Sequence, residues 1–185
     1  MGKADVNPVQ TRVAVLISGR GSNLKALIAG QQSEGSYQIA LVISNRSQAR
    51  GLTIASEAGV PTRVIDHTLF DGREPFERVL DQALNEANVE LVCLGGFMRV
   101  LTPWFVKRWQ DRLLNIHPSL LPAFRGLDTH ARALDAGVRV HGCTVHFVRP
   151  ELDDGPIVVQ GIVPVIEGDT EQSLAARVLE TEHRA

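Results

Sequence analysis

Short apolar runs alternate with amphipathic stretches along most of the chain. The runs are mostly apolar and rich in β-branched residues, which is typical of strands buried on both faces of a parallel sheet. They predict five strands, at residues 12–17, 39–45, 62–66, 90–98 and 113–118. The stretches between them are predicted to be helices. This order along the chain indicates right-handed crossovers and helices on both faces of the sheet.

Glycine and threonine residues mark several of the predicted helix ends. Gly30 is placed to end the first helix and Gly59 the second, because glycine readily adopts the left-handed conformation that follows many helices. Thr102 is the predicted N-cap of the fourth helix, and Pro103 lies in its first turn.

The pattern changes after residue 138. Residues 139–148 and 156–166 alternate in polarity, which predicts an antiparallel pair of strands at the sheet edge. A final helix follows, capped by Asp169 or Thr170. The predicted fold class is therefore α/β: a Rossmann-like, mostly parallel sheet with helices on both faces and antiparallel strands added near the C-terminal end.

The composition indicates a globular protein of 185 residues with a net charge of −2, which argues against the basic face that nucleic-acid binding needs. Residues 1–11 are predicted to be a flexible N-terminal segment and residues 12–185 a single domain. No apolar run resembles a membrane span or a signal peptide. Cys93 and Cys143 are predicted to be reduced thiols, so we expect a cytoplasmic protein that does not bind membranes.

Residues 18–23, with the sequence SGRGSN, join the first strand to the first helix. Ser22 and Asn23 stand at the helix N-terminus, where free N–H groups and the helix dipole favour an anion, so we predict a phosphate site. A dinucleotide is disfavoured, because Leu24 occupies the third glycine position of the dinucleotide fingerprint. The alternative is a plain turn in which Ser22 or Asn23 only caps the helix.

Asn115 and His117 lie two residues apart in an extended segment, so their side chains share a face. Pro118 favours extended geometry at His117. An amide donor beside an imidazole suits an oxyanion that develops during a reaction. Asp153 or Asp154, in the turn between the two late strands, is a candidate carboxylate partner for a protonated His117. The alternative is that Asn115 and His117 only satisfy loop backbone groups.

His146 lies on the more polar face of its predicted strand, where it either lines the site or is hydrogen-bonded within the sheet. The sequence leaves these two interpretations open. No metal site is predicted, because the remaining histidines lack the spacing of metal ligands: His67, His130, His141 and His183.

These motifs together make the chain resemble the glycinamide ribonucleotide formyltransferases, a folate-dependent enzyme family. The matching stretches are collinear and span nearly all of residues 12–183: LISGRGSNL, VISNR, FDGREPFE, LGGFMRVL, LLNIHPSLLPAFRGLDTH, GCTVHFV, ELDDGPIV and EGDTEQSLAARVLETEH. The resemblance implies transfer of a formyl group from the co-substrate 10-formyltetrahydrofolate to the amine of glycinamide ribonucleotide in de novo purine biosynthesis. It implies direct attack by the amine and no metal.

The resemblance also implies roles for individual catalytic and ribonucleotide-binding residues. Asn115 and His117 would polarise the formyl carbonyl, and Asp153 would hold His117 protonated and help organise water for proton transfer. Glu182 would contact the ribose or the attacking glycinamide portion. The ribonucleotide phosphate would be bound by Gly21, Ser22 and Asn23.

The folate pocket implied by the resemblance draws on two further parts of the chain. Residues 149–153 would close over the pteridine. The pocket would be lined, together with Asn115, by Arg73, Met98, Arg99, Val100 and Leu101.

This chain departs from the family pattern at Asp154, where many members have a glycine, and family members usually continue beyond the position of Ala185. A formyltetrahydrofolate hydrolase is the nearest alternative, although that family usually carries an added upstream domain. A methionyl-tRNA formyltransferase would need a further RNA-binding domain. The alternative from another class is a non-catalytic nucleotide-binding module. We expect small-molecule substrates and a monomer or homodimer.

Overall fold

Seven strands form one sheet in a computed structural model of the chain, which describes residues 10–185. Most of the predicted flexible N-terminal segment lies outside the described residues. The strands are β1 (Thr11–Ile17), β2 (Tyr37–Ser44), β3 (Thr62–Val64), β4 (Leu91–Leu94), β5 (Leu113–His117), β6 (Val140–Phe147) and β7 (Ile157–Pro164). Their order is β3-β2-β1-β4-β5-β6-β7, with β1 to β5 parallel and β6 and β7 antiparallel. The predicted fold class is confirmed.

The helices lie on both faces of the sheet. They are α1 (Ser22–Glu34), α2 (Arg50–Glu57), α3 (Arg73–Glu86), α4 (Pro103–Arg108), α5 (Thr129–Asp135) and α6 (Glu171–Glu182). Helix α5, which follows the irregular stretch after β5, was not predicted from the sequence. No helix in the described part of the chain is long and apolar enough to cross a membrane.

Strand β1 is buried on both faces, as its uninterrupted apolar sequence predicts. Val13, Val15 and Ile17 pack in the cluster that includes residues of α1 and α2. Ala14 and Leu16 point the other way and pack with residues of α3 and α4. A third cluster joins β6 and β7 to α5 and α6.

The helix caps confirm the predictions at Thr102 and Gly59 and overturn the one at Gly30. The Thr102 hydroxyl accepts a hydrogen bond from the Phe105 amide, and Gly59 has the left-handed φ of 70°. Gly30, in contrast, lies inside α1, which ends at Gly35 with a φ of 67°. A side chain at Gly30 would come within 2.7 Å of the Tyr37 hydroxyl, so this glycine provides space rather than a helix end.

The strand order reverses between β1 and β4, since β2 and β3 lie on one side of this pair and β5 on the other. In open α/β sheets, ligands bind outside the carboxyl ends of the strands at such a point. The loops that follow β1, β4 and β5 therefore meet at one edge of the molecule. These loops contain residues 18–21, 95–102 and 118–128.

Candidate active site

Asn115 is held by a histidine on the neighbouring strand. Asn115 and His146 face each other across β5 and β6, and the Asn115 Nδ2 atom lies 3.3 Å from His146 Nε2. His146 Nδ1 lies 3.1 Å from the carbonyl oxygen of Phe147. A neutral ring with its proton on Nδ1 satisfies both contacts, and burial lowers the pKa of His146 in keeping with that form. His146 is thus buried and hydrogen-bonded within the sheet, where it orients the Asn115 amide.

His117 is enclosed by two oxygen atoms. Its Nδ1 atom lies 3.4 Å from Asp153 Oδ2, and its Nε2 atom lies 3.0 Å from the carbonyl oxygen of Phe124. Each ring nitrogen of His117 therefore faces an oxygen atom of another residue. The His117 and Asp153 side chains are 7% and 8% exposed, so solvent screens this pair little.

The two adjacent aspartates have different surroundings. Asp153 Oδ2 accepts a hydrogen bond of 2.9 Å from the Gly126 amide, and Asp153 Oδ1 lies 3.9 Å from His146 Nε2. Asp154 points outward, with a side chain 45% exposed, and forms an ion pair with Arg125. The carboxylate that faces the two histidines is therefore that of Asp153.

The glycine loop, residues 18–23, turns sharply into α1. Gly21 is the N-cap residue, with a φ of 76°, and no side chain caps the helix. The alternative in which Ser22 or Asn23 caps the helix is therefore wrong. A Cβ atom at Gly21 would lie 2.6 Å from the Cα atom of Gly51, so the loop packs directly against the start of α2.

Three predicted site residues that are far apart in sequence line one cavity of about 310 Å³: Asn23, Asn115 and Glu182. Asn23 Nδ2 donates a hydrogen bond of 3.1 Å to Glu182 Oε2. Burial is the main cause that raises the pKa of Glu182. This carboxyl, at the C-terminal end of α6, thus faces the N-terminal turn of α1.

The 97–101 segment, which follows β4, contains most of the predicted folate-lining residues. Met98 and Val100 are 71% and 60% exposed, whereas the Leu101 side chain packs into the core beside α3 and α4. The Arg99 guanidinium lies 5.3 Å from the centre of the Phe76 ring. The remaining residue of the set, Arg73, is exposed at the start of α3.

Three residues that were not predicted as site residues support this segment: Ser18, Asn45 and Glu77. The Ser18 hydroxyl accepts a hydrogen bond of 2.8 Å from the Met98 amide and donates one of 2.7 Å to Asn45 Oδ1. The buried Glu77 carboxylate accepts a hydrogen bond from the Thr102 amide. The position of Ser18 at a strand end was a usable signal, whereas Glu77 looks like any polar residue of an amphipathic helix.

The described residues contain no group of side chains suited to a metal ion. Across residues 10–185, no three His, Cys, Asp or Glu side chains lie close enough together to hold a metal ion.

Known proteins identify the class to which this fold and site belong. Residues 11–185 match the formyl transferase family, and the chain belongs to that family. It is 46% identical over 172 residues to the phosphoribosylglycinamide formyltransferase of Escherichia coli K12, covering 92% of this chain and 81% of that protein. The crystal structure of glycinamide ribonucleotide transformylase 1 from Symbiobacterium toebii has a TM-score of 0.92 and 45% identity, with coverage of 95% of this chain and 83% of that one.

The chain also matches part of a much longer protein. It is 53% identical over 185 residues to the trifunctional purine biosynthetic protein adenosine-3 of Gallus gallus. The matched region is 100% of this chain and 18% of that protein. The chain spans between 13% and 18% of the length of such trifunctional relatives.

Proposed function

We propose that this chain transfers the formyl group of 10-formyltetrahydrofolate to the amine of glycinamide ribonucleotide, a step of de novo purine biosynthesis. The observation that carries the proposal is the grouping of Asn115, His117 and Asp153 at the carboxyl end of β5, beside the cavity that Asn23 and Glu182 line. The names of the relatives indicate which group is transferred, to which ribonucleotide and in which pathway.

In this proposal the neutral amine attacks the formyl carbon, and negative charge collects on the formyl oxygen. Asn115 donates to that oxygen through the amide N–H that does not face His146. The His117 imidazolium stabilises the charge electrostatically, since its own N–H groups face Asp153 and the Phe124 carbonyl. A proton released by the amine passes to the bridging nitrogen of the folate as the C–N bond breaks. Tetrahydrofolate leaves and the formylated amine remains.

The ribonucleotide occupies the cavity side of this group. Its phosphate lies against the amides of Gly21, Ser22 and Asn23, where the dipole of α1 favours an anion. Glu182, which accepts a hydrogen bond from Asn23, contacts the ribose or the glycinamide portion.

The folate lies on the opposite side of Asn115, His117 and Asp153 from the ribonucleotide. Residues 149–153 close over the pteridine, and Asp153 helps organise the water that carries the proton. The apolar side chains of Met98 and Val100 offer exposed surface for the flat parts of the ligand. The folate-lining residues are Arg73, Met98, Arg99, Val100, Leu101 and Asn115, of which Leu101 contributes only its backbone, because its side chain packs into the core.

We infer a cytoplasmic enzyme that acts as a monomer or homodimer and binds neither nucleic acid nor membrane. The free thiols of Cys93 and Cys143 support a reducing compartment. The net charge of −2 supports small-molecule substrates over nucleic acid.

The test is formyl transfer to glycinamide ribonucleotide by the unaltered chain and by His117→Ala and Asp153→Asn. We expect turnover that requires the ribonucleotide and a fall in kcat of about 10²–10⁴ in both variants, the range for loss of a proton-transfer or charge-stabilising group. Asp154→Asn is the matched control, because it changes the adjacent carboxylate without touching His117.

Two results would support the alternatives instead. Release of formate from the folate without ribonucleotide would indicate a formyltetrahydrofolate hydrolase. Tight ribonucleotide binding without turnover, unchanged by His117→Ala, would indicate a non-catalytic binding module.

A further inference from the structure

Glu77 is a buried carboxylate that the proposed reaction does not use. It lies in α3 and is 1% exposed. Its Oε1 atom accepts a hydrogen bond of 2.8 Å from the Thr102 amide, and its Oε2 atom accepts a second one from the Thr102 hydroxyl. A buried carboxylate is costly unless it is hydrogen-bonded in this way. Burial is also the main cause that raises the pKa of Glu77.

The partner of Glu77 connects two parts of the structure. Thr102 directly follows the 97–101 segment and is the N-cap of α4. Its hydroxyl oxygen accepts a hydrogen bond of 3.4 Å from the Phe105 amide. Because Glu77 holds both the amide and the hydroxyl of Thr102, it fixes the point at which the segment enters the helix.

The 97–101 segment is held at its other end as well. The Met98 amide donates to the Ser18 hydroxyl, which is bonded in turn to Asn45. The residues between these two attachments include the exposed Val100. The positive charges of Arg73 and Arg99 lower the pKa of Glu77, against the larger effect of burial. The segment is therefore supported from outside, at each end, by buried polar side chains.

We propose that Glu77 is a positioning residue that sets the affinity for the formyl folate by holding the 97–101 segment, through Thr102, in its ligand-binding geometry. This inference rests on the proposed function, which assigns the segment to the folate. A segment that is already ordered loses less conformational entropy when a ligand binds. Glu77 touches no reacting atom in this scheme, so its loss weakens folate binding more than it slows the reaction.

The experiment compares Glu77→Ala, Glu77→Gln and the unaltered chain. For each protein we would measure kcat, the KM values for 10-formyltetrahydrofolate and for glycinamide ribonucleotide, and the Kd for tetrahydrofolate. We expect Glu77→Ala to raise the folate KM and the tetrahydrofolate Kd about 10-fold, the size expected for lost hydrogen bonds to a charged group. The ribonucleotide KM should stay within about twofold. Glu77→Gln should restore part of the affinity, because its amide oxygen still accepts from Thr102.

Asp81 provides a matched control on the same helix. It lies one turn after Glu77 and accepts a hydrogen bond of 2.9 Å from Trp109 Nε1, so it holds the far end of α4. Asp81→Ala should lower the Tm without raising the folate KM selectively. If Glu77→Ala does not fold, Thr102→Val removes the hydroxyl, and with it the bonds to Glu77 and to the Phe105 amide, with little change of shape. It should raise the folate KM in the same direction.

The outcomes separate the two proposals. A folded Glu77→Ala or Thr102→Val variant with an unchanged folate KM would overturn the role of Glu77 and leave the proposed function intact. An equal rise of both KM values, matched by Asp81→Ala, would also overturn it, because that result indicates general loosening. An unaltered chain that neither transfers formyl groups nor binds tetrahydrofolate would overturn both proposals.

Discussion

The glycine loop and the 97–101 segment follow neighbouring strands, β1 and β4, yet they are fixed in different ways. The glycine loop depends on its own backbone: Gly21 has a φ of 76° and lies directly against Gly51. The 97–101 segment carries exposed apolar side chains and depends on side chains from elsewhere, Ser18 and Glu77. A loop of the first kind suits a small anion bound by amides, whereas the second presents an apolar surface.

Among variants that test this difference between the two regions, Gly21→Ala is expected to have the largest effect on substrate binding. Alanine at a left-handed φ is strained, and its Cβ atom would lie 2.6 Å from the Gly51 Cα atom, so the backbone of the loop must move. We expect the KM for the ribonucleotide to rise at least about 10-fold, since binding by amides requires accurate placement. The folate KM should change much less.

Gly35→Ala is the matched control for that change. Gly35 also has a left-handed φ, 67°, but no atom lies within 4 Å of a Cβ at this position. It should lower the Tm by about 2–4 °C, which corresponds to roughly 1 kcal/mol of backbone strain. Its ribonucleotide KM should remain that of the unaltered chain. If both variants raise this KM alike, the contact with Gly51 does not control the loop.

The same difference explains what the sequence could predict. The strand β1, the Thr102 cap and the glycine loop depend on local pattern, and the structure has each of them. The spacing of Asn115 and His117 was also visible, because alternation in a strand is a local property. Local information was insufficient at Gly30, where the deciding contact is the Tyr37 hydroxyl.

Long-range contacts account for the remaining omissions. Two acidic residues of α3, Glu77 and Asp81, look equivalent in the sequence, yet they contact opposite ends of α4. The different surroundings of Asp153 and Asp154 likewise arise from His117 and Arg125, which lie on other elements. Such assignments require the tertiary structure.

A smaller effect is expected for Ser18→Ala. This variant separates the two regions directly, because Ser18 belongs to the glycine loop in sequence but contacts the 97–101 segment. Loss of the hydroxyl leaves the Met98 amide and Asn45 without one of their partners. We expect the folate KM to rise about 5-fold, as for one neutral hydrogen bond, and the ribonucleotide KM to stay unchanged. Ser44→Ala, which removes another strand-end hydroxyl that donates to the Arg46 carbonyl, is the control. The reverse pattern of KM values would assign Ser18 to the glycine loop in function too.

The smallest effect is expected for Asp154→Gly. The Arg125–Asp154 pair joins the turn that contains Asp153 to the loop after β5, so it is a candidate for a third support of the folate side. Both side chains are nearly half exposed, 44% and 45%, and ion pairs of this kind contribute about 0–1 kcal/mol. Asp153 remains bound to the Gly126 amide without this pair. We therefore expect kcat and both KM values to change less than about twofold, and Arg125→Ala to behave alike. A selective rise of the folate KM in both variants would mean that the ion pair supports the folate side as Ser18 and Glu77 do.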